Sequence, residues 1–212
     1  VANNAKAYEK TEIMFGEGRS GDHIFMLKWG PGVGSALILD GEVYYGSGHN
    51  AGEIGHMTVD HGGKLCRCGR RGCLETVVST PAIMDSIMTS CDTISADEKQ
   101  KGALEIWLST GHTLRYDNSD EWGVLDDPCV QSVLKKKAAC LAVTVRNVSA
   151  VLDPDKIVVW GYLFDIPGMF EKFKQYYYTF DINTKPDFIV KSRLNLSKTH
   201  TEALAVVIDE MF

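Results

Sequence analysis

Gly55-His56, nine intervening residues, then Cys66-Arg67-Cys68-Gly69-Arg70-Arg71-Gly72-Cys73-Leu74-Glu75 gather one histidine and three cysteines into residues 56–73. Four such donors suffice for a closed tetrahedral zinc site, because thiolate and imidazole are zinc's usual partners. A set of four protein ligands leaves no position for water, so the metal reads as structural rather than catalytic. Coordination keeps a thiol deprotonated, and Gly69 and Gly72 permit the positive-φ turns that a metal loop needs. Carboxylates stand at both ends of the segment, Glu53 and Glu75. A metal clip that fixes a loop between two carboxylates suggests a site built to hold a polar small molecule.

The remaining cysteines, Cys91, Cys129 and Cys140, lie singly in apolar surroundings and are expected to pack as separate, inert thiols. Tight spacing in the Cys66/Cys68/Cys73 trio, with no secretory signal ahead of it, favours metal over disulfide and a reducing cytoplasm. The net charge of −6 over 212 residues gives no basic footprint for a nucleic-acid backbone. No apolar run reaches the ~18 residues that a membrane span needs. The sequence starts at Val1 without a methionine, directly on a helical stretch, and is expected to be a fragment.

Several elements must position this segment. Ala5–Phe15 reads as a helix capped by Asn3 or Asn4. His23–Trp29 and Val33–Leu39 read as apolar strands, Asp40-Gly41 as a two-residue hairpin turn, and Glu42–Tyr45 as the returning strand. Glu53–Asp60 reads as a short strand through His56. A helical stretch opens at Glu75 and restarts with Thr80 as cap and Pro81 at the first position. Ser95-Ala96-Asp97-Glu98 reads as a capping box for a helix through Leu108, and Gly111–Asp127 mostly as loop. Val130–Leu152 has the apolar spacing of the longest helix. Lys156–Trp160 and Phe188–Lys191 read as strands, Ile166–Tyr178 and Thr201–Phe212 as helices. A hairpin sheet followed by helix–strand–helix–strand–helix is an α/β layering. Lys135-Lys136-Lys137 is expected to be a solvated helix face, Trp29 and Tyr176–Tyr178 core or interface, and His49 a surface residue.

The residues Gly52-Glu53-Ile54-Gly55-His56 and Cys66 to Glu75 resemble, type for type and in spacing, the signature of the ROK family of repressors, uncharacterised reading frames and sugar kinases. Three flanking stretches resemble other family motifs: Ala2 to Ala7 its N-D-x-N-A helix start, Gly30-Pro31-Gly32-Val33-Gly34 its phosphate turn, and Asp153 to Val159 its D-P-x-x-I-V strand. The resemblance implies an actin-like ATPase, ribonuclease-H-like α/β fold, a mixed sheet flanked by helices with a zinc knuckle inserted. Residues 1–212 would be the C-terminal domain of a ROK module, with the N-terminal ROK half and a winged helix-turn-helix absent. It also implies zinc on His56, Cys66, Cys68 and Cys73, and sugar hydroxyls bound by Glu53, His56 and Glu75, with Asn3 and Asn4 adding contacts. His56 would then serve twice, one ring nitrogen on the metal and the other on the sugar.

Three positions depart from the kinase pattern. Asn4 stands where ROK kinases place the aspartate that takes the hydroxyl proton, so no catalytic residue is assigned. Pro31 replaces the threonine of the phosphate turn and removes a hydroxyl and an N–H. Trp160-Gly161-Tyr162-Leu163-Phe164 replaces a run of glycines. These departures favour a sugar-binding effector domain of a ROK-type transcriptional repressor over an enzyme. It would act as a cytoplasmic homodimer that binds a monosaccharide or sugar derivative and reaches DNA through the missing N-terminal domain rather than through these residues. The alternatives are an ATP-dependent sugar kinase and a zinc-stabilised protein-interaction domain.

Overall fold

The computed structural model describes residues 23–98, 101–102, 104–105, 123–179 and 187–192. The expected helices at 5–15 and 201–212, and most of the loop expected at 111–127, fall outside them. Among the described residues, five strands form one mixed sheet in the order β3-β2-β1-β4-β5. β1 (Ile24–Trp29) pairs antiparallel with β2 (Val33–Leu39), which pairs antiparallel with β3 (Glu42–Val43). On its other side β1 pairs parallel with β4 (Lys156–Trp160), and β4 pairs parallel with β5 (Ile189–Lys191). The β2–β3 turn is the expected Asp40-Gly41, with both residues at positive φ (54° and 77°), as a two-residue hairpin turn requires. The returning strand is shorter than expected and ends at Val43.

β1 has no polar face because both of its faces are covered. Phe25, Leu27 and Trp29 join Ile157 and Val159 in the main core, while Ile24 and Met26 join Ala36, Ile38, Val158 and Trp160 on the opposite face. The main core is closed by α1 (Leu74–Val78), α2 (Thr80–Ser90), α4 (Pro128–Leu152) and α5 (Met169–Tyr178), with the short α3 (Asp92–Ala96) following α2. α4 starts where Asp127 accepts hydrogen bonds from the N–H groups of Cys129 (2.8 Å) and Val130 (3.1 Å), with Pro128 in the first turn. It stops at Asp153, in the left-handed conformation at φ 44°. Between these ends Val130, Val133, Leu134, Ala138, Leu141, Ala142 and Val145 form its buried stripe. Trp29 is fully buried, as expected, and its indole N–H donates to the Val78 carbonyl at 2.8 Å, tying β1 to α1. Tyr177 is buried in the core and Tyr176 and Tyr178 pack against it, while Lys135 and Lys136 are exposed and Lys137 is half-buried.

Four expectations are corrected. Residues 53–60 do not form a strand; Ile54–His56 is a 3-10 turn, because Gly52 and Gly55 lie flat against β2. Ser79, not Thr80, occupies the cap of α2, and Thr80 is its first residue. The helix expected from Ser95 to Leu108 starts later than the capping box placed it: α3 already spans Ser95 and Asp97 turns extended, after which residues 98, 101–102 and 104–105 are helical and the Asp97 carbonyl accepts the Lys101 N–H at 2.9 Å. Cys91 and Cys129 are not separate thiols: they form a disulfide joining the end of α2 to the start of α4. Cys140 is free and half-buried.

Candidate metal centre and ligand site

The knuckle folds by local backbone bonding. Cys66 N–H donates to the Arg70 carbonyl (2.7 Å), Gly69 N–H to Cys66 (2.9 Å) and Gly72 N–H to Lys64 (2.9 Å). Gly69 and Gly72 both take positive φ (84° and 66°). Gly72 is also required for space, since a Cβ there would lie 1.5 Å from the Asp60 carbonyl oxygen. The knuckle is pinned to the His56 segment by a bridge between Thr58 and Cys73 and by Leu74 N–H donating to Met57 (2.8 Å). That segment is pinned in turn to β2: a Cβ on Gly55 would meet the Val33 carbonyl at 2.2 Å, and one on Gly52 the Ser35 carbonyl at 2.8 Å. The Ser35 hydroxyl donates to the Gly52 carbonyl.

This scaffold brings all four expected metal ligands together. One donor atom from each of His56, Cys66, Cys68 and Cys73 lies within 4.8 Å of every other. His56 Nδ1 stands 3.5 Å from Cys66 Sγ, and Cys68 Sγ stands 3.6 Å from Cys73 Sγ. Zinc–ligand bonds of ~2.3 Å to sulfur and ~2.05 Å to nitrogen give tetrahedral edges of about 3.8 Å between two sulfurs and about 3.6 Å between sulfur and nitrogen. The four groups therefore fit a metal ion, and their chemistry suits zinc. The Arg70 guanidinium and backbone N–H beside Cys68 hold its thiol down at about 6, whereas burial pushes the Cys73 thiol up to about 11. Contact between His56 Nδ1 and Cys66 leaves Nε2 as the ring nitrogen free to meet a hydroxyl.

The expected sugar-binding carboxylates line different hollows beside the knuckle. Glu53 is exposed and shares with His56, Asn50, Arg70 and the α4 residue Asn147 a groove of about 730 Å³. Glu75 opens instead on a second hollow of about 400 Å³, beside Pro31, Lys64 and Arg67. Its carboxylate is already engaged: Oε1 pairs with Arg67 Nε at 3.1 Å, and Oε2 accepts the Val33 N–H at 3.3 Å. Asn3 and Asn4 lie outside the described residues. His49 is exposed, as expected, with its ring against Tyr45.

Pro31 is exposed at the tip of the β1–β2 turn, as the sequence placed it. Trp160 does not crowd that turn; it is buried on the far face of the sheet, paired in register with Lys28. The residue that stands over the turn is Tyr162. Its ring would lie 3.1 Å from a Cβ on Gly30, and its hydroxyl hydrogen-bonds the Thr80 hydroxyl. Gly161, at φ 108°, lets the chain pass so close that a Cβ would meet the Trp29 carbonyl at 2.2 Å. Sequence reasoning missed Arg67 and Arg70 as functional neighbours, and named Tyr162 only as one of the bulky residues of the stretch from Trp160 to Phe164. The arginines carried a signal, being interleaved with the ligands; nothing local set Tyr162 apart from the rest of its bulky stretch.

The ROK family model matches residues 1–206. A glucokinase of Halalkalibacterium halodurans is 30% identical over 162 residues, 76% of this chain and 48% of that protein. The xylose repressor of Bacillus subtilis is 36% identical over 89 residues, 42% of this chain and 23% of the repressor. A solved ROK family transcriptional regulator, a homologue of the E. coli MLC protein, superimposes with a TM-score of 0.71 at 26% identity, covering 98% of this chain and 50% of that one. The chain thus spans about half or less of the length of these relatives.

Proposed function

This chain belongs to the ROK family and has its actin-like ATPase fold, and from that premise we propose that it is the sugar-binding effector domain of a transcriptional repressor. The observation that carries the reading is an asymmetry. The knuckle side keeps a full set of metal donors beside Glu53 and Glu75. The phosphate-turn side has lost a hydroxyl and an N–H at Pro31 and has Tyr162 packed over Gly30. Asn4, at the position of the kinase base, lacks a proton acceptor. Similarity to a xylose repressor and to a solved transcriptional regulator supports the same choice.

In this reading zinc on His56, Cys66, Cys68 and Cys73 fixes the loop and supplies no chemistry of its own. Glu53, His56 Nε2 and Glu75 bind the hydroxyls of a monosaccharide, with Asn3 and Asn4 adding contacts. Glu53 and Glu75 open on separate hollows flanking the knuckle, so the sugar bridges them together with the other half of the ROK module. Binding favours one arrangement of the two halves by its differential affinity. In a cytoplasmic homodimer that shift changes the spacing of winged helix-turn-helix modules placed upstream of this domain, and with it the affinity for DNA.

The competing reading is an ATP-dependent sugar kinase, favoured by 30% identity to a glucokinase over three quarters of the chain. The test is ADP release by the full-length protein with Mg-ATP and a panel of aldohexoses, ketohexoses, xylose and N-acetylated sugars. We expect no turnover above background, together with a sugar that raises the Tm and weakens DNA binding. Robust phosphorylation of any of these sugars would overturn the repressor reading.

A further inference from the structure

The Cys91–Cys129 disulfide joins residues 38 apart in sequence and lies away from the knuckle and both hollows. Cys91 sits at the junction of α2 and α3, 2% exposed, with its N–H bonded to the Ile87 carbonyl at 2.8 Å. Cys129 is the second residue of α4 and is half-buried, so it is the sulfur that a small molecule reaches first. Both oxidation states are accommodated by what surrounds them. As a thiol, Cys91 would remain a small apolar member of the main core. Cys129 Sγ lies 3.4 Å from the Ser90 carbonyl, which can accept its S–H once the bridge is open. A thiolate at Cys129 would face the positive end of the 25-residue α4.

From this arrangement we infer that Cys91 and Cys129 form a reversible redox switch that clamps the start of α4 to the end of α2 when oxidised and releases it when reduced. The oxidant is a small disulfide of the oxidised-glutathione class. Cys129 thiolate attacks one glutathione sulfur, the glutathione S–S bond breaks, and one glutathione thiolate leaves. Cys91 thiolate then attacks the Cys129 sulfur of the mixed disulfide and expels the second glutathione. Two protein thiols are oxidised, one glutathione disulfide is reduced to two glutathiones, and those two thiols carry away the protons. The inference does not depend on the sugar reading.

The test equilibrates the zinc-loaded protein in glutathione buffers from fully reduced to fully oxidised, quenches in acid, alkylates, and counts free thiols by mass. We expect two thiols to disappear with a midpoint inside the glutathione range, peptide mapping to Cys91 and Cys129, and full reversal by dithiothreitol. Cys129→Ser should abolish the transition and Cys140→Ser should keep it; if Cys129→Ser does not fold, Cys91→Ala serves in its place. Amide exchange in the first turns of α4 should be at least tenfold slower in the oxidised protein. The inference is overturned if both thiols stay free at every ratio, if the bridge survives in fully reduced buffer, or if exchange in α4 is the same in both states. A second zinc per chain held by reduced Cys91, Cys129 and Asp127, whose donor atoms lie within 4.8 Å of one another, would also overturn it.

Discussion

The metal knuckle and the β1–β2 turn lean on the same stretch of backbone, residues 33–35 of β2, yet they have kept different things. At the knuckle, the glycines and the chemistry survive together. Gly52, Gly55 and Gly72 make their close approaches, and four metal donors converge beside them. At the turn the glycines survive but the space they open is taken, by Tyr162 over Gly30 and by the Glu75 carboxylate, which would lie 2.7 Å from a Cβ on Gly32. Glycines give the backbone its close approaches in both places. What a region can do depends on whether the cleared space is left for a ligand or filled by the chain itself.

The largest break in this contrast should come from Cys68→Ser. It should take bound metal from one ion per chain to none, lower stability by about 3 kcal/mol or more, and lower the Tm by roughly 6–12 °C. Elemental analysis and thermal melts check it, and full zinc stoichiometry in this variant would refute the ligand assignment. Gly72→Ala should cost about 2–4 kcal/mol, because the clash is with backbone at positive φ, whereas Gly69→Ala, with nothing within 4 Å, should cost only about 1–2 kcal/mol. Denaturant melts of the pair separate close approach from φ alone.

Glu75→Ala should abolish sugar-induced thermal stabilisation and leave zinc content intact, which isolates the ligand role of the knuckle side from its metal role. In metal-free protein at pH 7, an alkylating reagent should take Cys68 before Cys73, because Cys68 is exposed with its thiol near 6 and Cys73 is buried with its thiol near 11. Labelling of Cys68 should slow as pH falls through about 6, and added zinc should protect it. The smallest effect is expected from Tyr162→Phe, which removes the hydroxyl bond to Thr80 and should cost about 1 kcal/mol, or 2–4 °C in Tm.

How much of this was legible in sequence depends on the range of the interaction involved. The Asp40-Gly41 turn, the apolar stripe of α4 and the convergence of His56, Cys66, Cys68 and Cys73 were readable because each is set by residues within a few turns of chain. Residues 53–60 were misread because their alternation resembles a strand, while their true shape comes from Gly52 and Gly55 lying on carbonyls of β2. The Cys91–Cys129 pairing spans 38 residues and leaves no local mark. The stretch from Trp160 to Phe164 was legible as bulk in place of glycines, but not which of its side chains would stand over the turn, since a strand buried on both sides shows no alternation from which to choose a face for Trp160. Tyr162, two residues further on in the same stretch, is the side chain that stands over Gly30.

The parallel pairing of β1 with β4 also sets a schedule for the growing chain. Ile24 is matched with Lys156, and His23 and Asp155 exchange hydrogen bonds, across more than 130 residues. β1 can form its hairpin with β2 within microseconds of emerging. Its other edge, carrying Ile24, Phe25, Met26 and Leu27, has no mate until β4 is made, on the order of ten seconds later at ~5–20 residues per second. A nascent chain therefore carries an open apolar strand edge while the residues between β2 and β4 are made. Truncations ending before Lys156 should be recovered as aggregates, and those extending past Trp160 should be the first to appear in the soluble fraction.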